Sequence, residues 1–335
     1  MNIKRSFRIL SRVSREFTFY VRNNEYAKAK HYALTAPKQA LFDLPKTITI
    51  EPANICNCHC DFCSAPPALS NRDPYLMPFD DYKKIIDDIK NSTHHLWFFL
   101  AGEPFLNPEF PKMVAYAQHH NLDTTTSSNA GVMDSTRAKQ IVRSGLDRLI
   151  ISLDGVSKET HERMRKGIDH EQTMKNIAFL VDEKRRTGSL KPYIELQFIE
   201  TKVNQHEKEA FIAFAKDLGV IYAIKSFGVP TWVLSEKEAK EVEDTFLPET
   251  GKRRYDANKK LKRLKNCINV NRPVIYSNGT VALCCYDFAG KYILGNAFNE
   301  PFTHIWRSEK HRKMREAGAN RHLPLCKKCG ESYEL

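Results

Sequence analysis

The feature that most limits how this chain can fold is an alternation. Six short β-rich runs, at 46–51, 96–100, 123–127, 148–153, 193–200 and 221–226, are separated by stretches of helical period. Pro78 and Asp80-Asp81 open one helix, with Tyr82, Ile85, Ile86 and Ile89 at helical spacing. Further helices are expected over 110–120, 135–144, 172–186 and 205–218, with Gly145 and Gly219 as stops. Such alternation predicts an α/β fold with a parallel sheet and helices outside. Six units fall short of the eight that close a barrel, so an open, partial (β/α)6 barrel is expected over 46–228. In parallel sheets ligands bind at the C-terminal strand ends. The polar punctuation falls there: Cys56 to Cys63 after the first strand, Gly102-Glu103-Pro104 after the second, Ser127-Ser128-Asn129 after the third, Asp154-Gly155 after the fourth.

Two other regions flank this core. Residues 1–45 read as a basic, partly helical extension. Beyond a boundary placed near 229 the pattern changes to a charged helix at 235–244, a basic stretch at 252–265 and a hairpin over 274–283 turning at Asn278-Gly279. Region 229–335 is therefore expected to be a small Cys-rich β-hairpin/α domain. The 335 residues are 41% hydrophobic and 27% charged, which argues against disorder. The longest apolar runs are strand-sized and the N-terminus lacks an apolar signal core, so a cytoplasmic protein without a transmembrane segment is expected. Net charge is +12, concentrated in runs 1–32, 251–265 and 307–328 at +6, +7 and +6. Such runs are either solvated helix faces or attract acidic partners.

The nine cysteines are clustered: Cys56, Cys58, Cys60 and Cys63 in one loop, and Cys267, Cys284, Cys285, Cys326 and Cys329 in the last fifth. In a large chain with no secretion signal, clustered thiols point to metal rather than disulfides. Cys56, Cys60 and Cys63 form C-x3-C-x2-C, which suits three irons of a cubane and leaves the fourth without a protein ligand. The competing reading is a closed zinc site with Cys58 or His59 as fourth ligand.

With these motifs in order, residues 46–228 resemble the radical S-adenosylmethionine (AdoMet) superfamily. Phe62 before the last Cys is common in that family, and Ala101-Gly102-Glu103-Pro104 matches its Gly-Gly-Glu-Pro motif with Ala first. The resemblance implies a [4Fe–4S] cluster on Cys56, Cys60 and Cys63 that binds AdoMet. It implies cofactor contacts from Gly102, Glu103, Ser128, Asn129, Ser152, Asp154 and Asn204, with Glu207 at a familiar spacing beside Asn204. Reductive cleavage to methionine and a 5′-deoxyadenosyl radical, which abstracts a substrate hydrogen, is the implied chemistry. The later cysteines resemble the SPASM and twitch extensions: Cys267, eleven residues, Gly279, four residues, Cys284, then Cys326-x2-Cys329. Four ligands (Cys267, Cys284, Cys326, Cys329) imply one auxiliary [4Fe–4S] cluster, against a four-Cys zinc knuckle. Cys58 and Cys285 are left over, as inert thiols or hydrogen donors to a substrate radical.

The expected function is thus a radical enzyme that dehydrogenates or epimerises a sugar-like or aminocyclitol-like alcohol. The rival is a maturase of ribosomally made peptides. A zinc protein binding nucleic acid would explain the charge but not the ordered strand-end motifs, so nucleic acid is not an expected partner. An acidic flavodoxin- or ferredoxin-type electron donor is the expected partner of a basic run.

Overall fold

The computed structural model describes residues 16–63, 65, 71–229, 234–250, 267 and 269–329. The basic run 251–265 and the first fifteen residues lie outside these. Helix α1 (Tyr26–Phe42) is followed by β1 (Thr47–Ile50), α2 (Phe79–Ile89), β2 (His95–Trp97), α3 (Phe110–His119), β3 (Asp123–Ser128) and α4 (Ser135–Arg143). Then come β4 (Arg148–Ser152), α5 (Lys158–Met164), α6 (His170–Thr187), β5 (Tyr193–Glu200), α7 (Lys208–Asp217), β6 (Ile221–Ser226) and α8 (Glu236–Phe246). The C-terminal part holds β7 (Val274–Ile275), β8 (Thr280–Ala282), β9 (Ile293–Asn296), α9 (Phe302–Arg307), α10 (Glu309–Ala319) and α11 (Pro324–Lys328).

Local chemistry accounts for these elements. In α2, Asp80 and Asp81 occupy the first turn, and Tyr82, Ile85, Ile86 and Ile89 are buried on one face. Asp134 caps α4 by accepting from the Arg137 N–H at 2.8 Å, and Asp169 caps α6 through Gln172 at 2.7 Å. Gly188 ends α6 in the left-handed region at φ +65°. Strand β2 is shorter than the apolar run suggested, because after Trp97 only the Phe98 N–H still reaches Thr125 O.

All nine strands form one sheet, in the order β6-β5-β4-β3-β2-β1-β7-β8-β9. The six core strands are parallel, and the sheet stays open. Strand β7 then pairs parallel with β1 (Thr49 with Val274, Ile50 with Ile275), and β8 and β9 continue antiparallel. The hairpin of the C-terminal region thus continues the core sheet.

One apolar core runs through both parts, from Ile48, Ile86 and Leu96 to Ile275, Val281, Phe302 and Trp306. Polar clasps hold the C-terminal helices against the core: Asp88 accepts from the Thr303 N–H and hydroxyl at 2.8 and 2.7 Å, and Trp306 Nε1 donates to Asp43 O at 2.6 Å. Among the described residues no helix is long and apolar enough to cross a membrane.

Candidate active site and second cysteine centre

The loop after β1 carries the first cysteines, and two neighbouring loops are stitched to it. The Glu103 N–H donates to Ile55 O at 2.8 Å, and the His59 N–H to Lys166 O at 2.8 Å. The first contact needs Gly102: a Cβ there would lie 2.3 Å from Ala53 O and 2.5 Å from Ile55 O. The strand ends thus enclose a cavity of about 410 Å³ lined by Cys56, Cys58, Cys60 and Cys63, by Gly102 and Glu103, and by Ser128, Asn129, Ser152 and Arg165.

Glu103 is the polar centre of its wall. Its Oε1 accepts from the Phe105 N–H (3.1 Å) and the Ser128 hydroxyl (2.9 Å), and its Oε2 from the Asn129 N–H (2.8 Å). Burial pushes its carboxyl up to about 7, although these donors pull it down. Asn129 Nδ2 donates to Asn57 Oδ1 at 2.9 Å and lies 3.9 Å from Cys56 Sγ.

Arg165 also lines the cavity, and sequence reasoning did not single it out. Its Nη1 lies 3.9 Å from Cys60 Sγ, and its Nε donates to Asp154 Oδ2 at 2.7 Å. Burial disfavours its charge, but Asp154 and the nearby thiols outweigh that and raise its pKa. Asp154 and Asn204, expected at the cofactor, do not line the cavity. Asp154 also accepts from the Ile199 N–H at 2.8 Å, and Asn204 donates to Asp154 O and Ile199 O at 2.9 Å each. They hold the ends of β4 and β5 and aim Arg165. Glu207 accepts from the Val156 and Ser157 N–H groups, so it anchors the loop after β4. The signal for Arg165 was weak, one arginine after a helix of seven residues.

The thiols are not equivalent. The Cys58 thiol reaches both Cys56 and Cys60, though one S–H can serve only one at a time. Cys60 is brought down to about 7, first by Cys58 and, against burial, by Arg165. Burial pushes Cys63 up to about 11. Soft thiol donors lining one cavity with a carboxylate and a guanidinium fit an iron–sulfur group plus a zwitterionic ligand.

A second pocket gathers Cys267, Cys284, Cys326 and Cys329 with Val270, Tyr286, Arg321 and Leu325. The β7–β8 turn and α11 bring these distant cysteines together. Burial pushes the Cys284 thiol well above its ordinary range, so a proton remains unless a metal takes its place. Four convergent thiols fit such a group. Cys285 lines neither pocket and packs with Leu100, Val274, Tyr276 and Ala282.

Residues 50–190 match the family model of the radical SAM superfamily, and 267–330 match that of an iron-sulfur cluster-binding domain, SPASM. The AdoMet-dependent heme synthase of Nitratidesulfovibrio vulgaris is 29% identical over 141 residues, 41% of this chain. The match spans 37% of that relative's length. In fold, the chain is similar to Streptococcus suis SuiB bound to S-adenosylmethionine, at 16% identity and TM-score 0.62, covering 92% of this chain and 78% of that one. SuiB has also been solved with its precursor peptide SuiA. The AdoMet-bound anSMEcpe is 18% identical with TM-score 0.60, covering 85% and 83%. Radical SAM domains bind AdoMet, and SPASM domains bind auxiliary iron–sulfur clusters. The chain therefore carries a radical SAM domain over residues 50–190 and an iron-sulfur cluster-binding domain over residues 267–330.

Proposed function

We propose that the protein cleaves AdoMet reductively and uses the resulting radical to dehydrogenate or epimerise a carbohydrate-like or aminocyclitol-like alcohol. The observation that carries this reading is the pairing of a cavity that gathers Cys56, Cys60 and Cys63 with Glu103 and Arg165 and a second pocket of four thiols. When bound, the first cluster supplies the electron that breaks the AdoMet sulfonium bond, and the second supplies a one-electron acceptor with no open ligand position. Cys56, Cys60 and Cys63 would hold the first, and Cys267, Cys284, Cys326 and Cys329 one auxiliary [4Fe–4S] cluster. Glu103 is placed to accept from the methionine ammonium, while Ser128, Asn129 and Arg165 offer donors to its carboxylate. Phe99 and Leu100 on the cavity wall keep water from the reacting atoms.

Four-thiol ligation favours dehydrogenation, because taking a hydrogen atom and a hydroxyl proton from a carbinol leaves one electron to be accepted. In an epimerisation a thiol returns a hydrogen, and of the two spare cysteines Cys58 lines the cavity while Cys285 does not. Peptide modification is the second reading, favoured by the likeness in fold to SuiB, solved with its precursor peptide. The basic run 307–328 is the face offered to an acidic electron donor, and reduction that ignores ionic strength would contradict it.

The test is anaerobic turnover with dithionite, AdoMet and a panel of aminocyclitols in deuterated water. We expect 5′-deoxyadenosine, methionine and a ketone. Deuterium at the carbinol carbon would instead indicate epimerisation. Turnover of a peptide alone would overturn the alcohol reading.

A further inference from the structure

Glu51 ends β1 and is fully buried, yet it does not line either cysteine pocket. It gathers three parts of the molecule. Arg72 donates to both of its oxygens, at 2.6 and 2.9 Å. The Ala101 N–H, beside Gly102 in the first cavity, points to Oε1 at 3.4 Å, and the Ser277 N–H, in the β7–β8 turn, donates to Oε2 at 3.1 Å. Beyond it, the Arg72 guanidinium lies 4.0 Å over the Tyr276 ring. The Tyr276 hydroxyl donates to Asp287 O. Asp287 closes the turn that begins at Cys284, donating its N–H to Cys284 O at 3.2 Å, while its carboxylate accepts from the Lys291 and Tyr292 N–H groups at 2.9 and 2.7 Å. A continuous polar chain therefore runs from the turn that carries Glu103 to the turn that carries Cys284.

Stability alone does not explain this joint. A buried ion pair is commonly no better than apolar packing of the same volume, and its best-attested use is to fix register. Ala101, whose N–H points to Glu51, already belongs to an apolar cluster with Ala65 and Phe288, against which Leu100 and Tyr286 pack. Two atoms of the junction, Arg72 Nε and Ser277 Oγ, are buried with no hydrogen-bond partner among the described residues, a cost that packing side chains would avoid.

We infer that Glu51 is a positioning residue that sets the AdoMet-facing turn and the auxiliary cysteine turn against each other through Arg72 and Tyr276. The inference rests on the assignment of the two pockets made above. Its test uses the full chain with both clusters reconstituted. Glu51→Gln keeps the shape but removes the charge that holds Arg72. AdoMet binding, followed by calorimetry, should weaken about tenfold, as for other residues that orient a ligand shell. In a Cys56/Cys60/Cys63→Ala background, where only the auxiliary signal remains, Glu51→Gln should also shift the paramagnetic resonance g-values of that cluster. Tyr276→Phe cuts only the far arm and should move the g-values while leaving AdoMet affinity unchanged. If Glu51→Gln does not accumulate, Arg72→Met should move both readouts in the same direction. A variant that merely melts earlier, with both readouts at wild-type values, overturns the inference. Wild-type protein that takes up neither AdoMet nor a second cluster would instead overturn the assignment of the pockets.

Discussion

The two cysteine pockets share their ligand chemistry and differ in what surrounds it. The first is roomy, about 410 Å³, and its lining adds a buried carboxylate, Glu103, and a largely buried guanidinium, Arg165, to four thiols. The second also has four thiols, and the rest of its lining is mainly apolar or aromatic, with Arg321 and Asn269 as polar members. A site that must take a charged ligand keeps an open position and charged walls, whereas a site that only stores charge can be closed by its own ligands. The contrast teaches that thiol count is less informative than the polar groups facing it.

Removing the thiols should break the contrast most sharply. The Cys56/Cys60/Cys63→Ala variant should produce no 5′-deoxyadenosine, and its iron should fall from about eight to about four per chain, as two [4Fe–4S] clusters require. Cys284→Ser should do the reverse, losing about half the iron, while Cys285→Ser should keep all of it. Iron loss from Cys285→Ser would exchange the roles of the two neighbours.

Smaller changes sharpen the difference between the walls. Gly102→Ala drives a methyl into two backbone oxygens, at 2.3 and 2.5 Å. It should cost about 1–3 kcal/mol in stability and weaken AdoMet binding while sparing the auxiliary iron. Arg165→Met should weaken AdoMet binding about 10–100-fold with little change in auxiliary iron, measured by calorimetry and metal analysis.

The last effect concerns pH and touches both halves. Burial holds His94, beside β2, at about 2 with His31 adding to the shift, and holds His311, in α10, at about 4 with Arg315 adding to it. Both stay neutral when folded but take up a proton when unfolded, so stability is present above pH 6.5 and is lost below it. At pH 5 each should cost about 2 kcal/mol, with the His311 loss levelling off near its folded value. Denaturant midpoints at pH 7.5 and pH 5 measure the fall, and His311→Phe should remove the C-terminal share of it.

Much of this was legible in the sequence because it is local. Helical spacing at Tyr82, Ile85, Ile86 and Ile89, strand-length apolar runs and the turn at Asn278-Gly279 each announce an element without knowledge of its partners. Cys56, Cys60, Cys63 and Glu103 were legible because the chemistry demands those types at those spacings, and all four line one cavity. What escaped was non-local. Pairing of β7 with β1 joins residues more than two hundred positions apart, and a two-residue strand carries no pattern that names its neighbour. Arg165 became visible only through Asp154 and Cys60 beside it, and Glu51, inside the β-rich run 46–51, became visible only through Arg72 and Ser277. Asp154 and Asn204 were legible as polar residues at strand ends, but not as residues that spend their hydrogen bonds on backbone and on Arg165.

The parallel pairing of β1 with β7 has a consequence for how such a molecule can vary. The separation between its two cysteine regions is written in the spacing of adjacent strands, roughly 4.8 Å per step, and not in the length of chain that joins them. Outside Cys267 and the buried Phe227 and Phe246, the connection between Ser226 and Val274 can therefore change length at small entropic cost, each doubling of a loop costing only about 0.6 kcal/mol. Distance between the centres is thereby insulated from drift in the length of the linker.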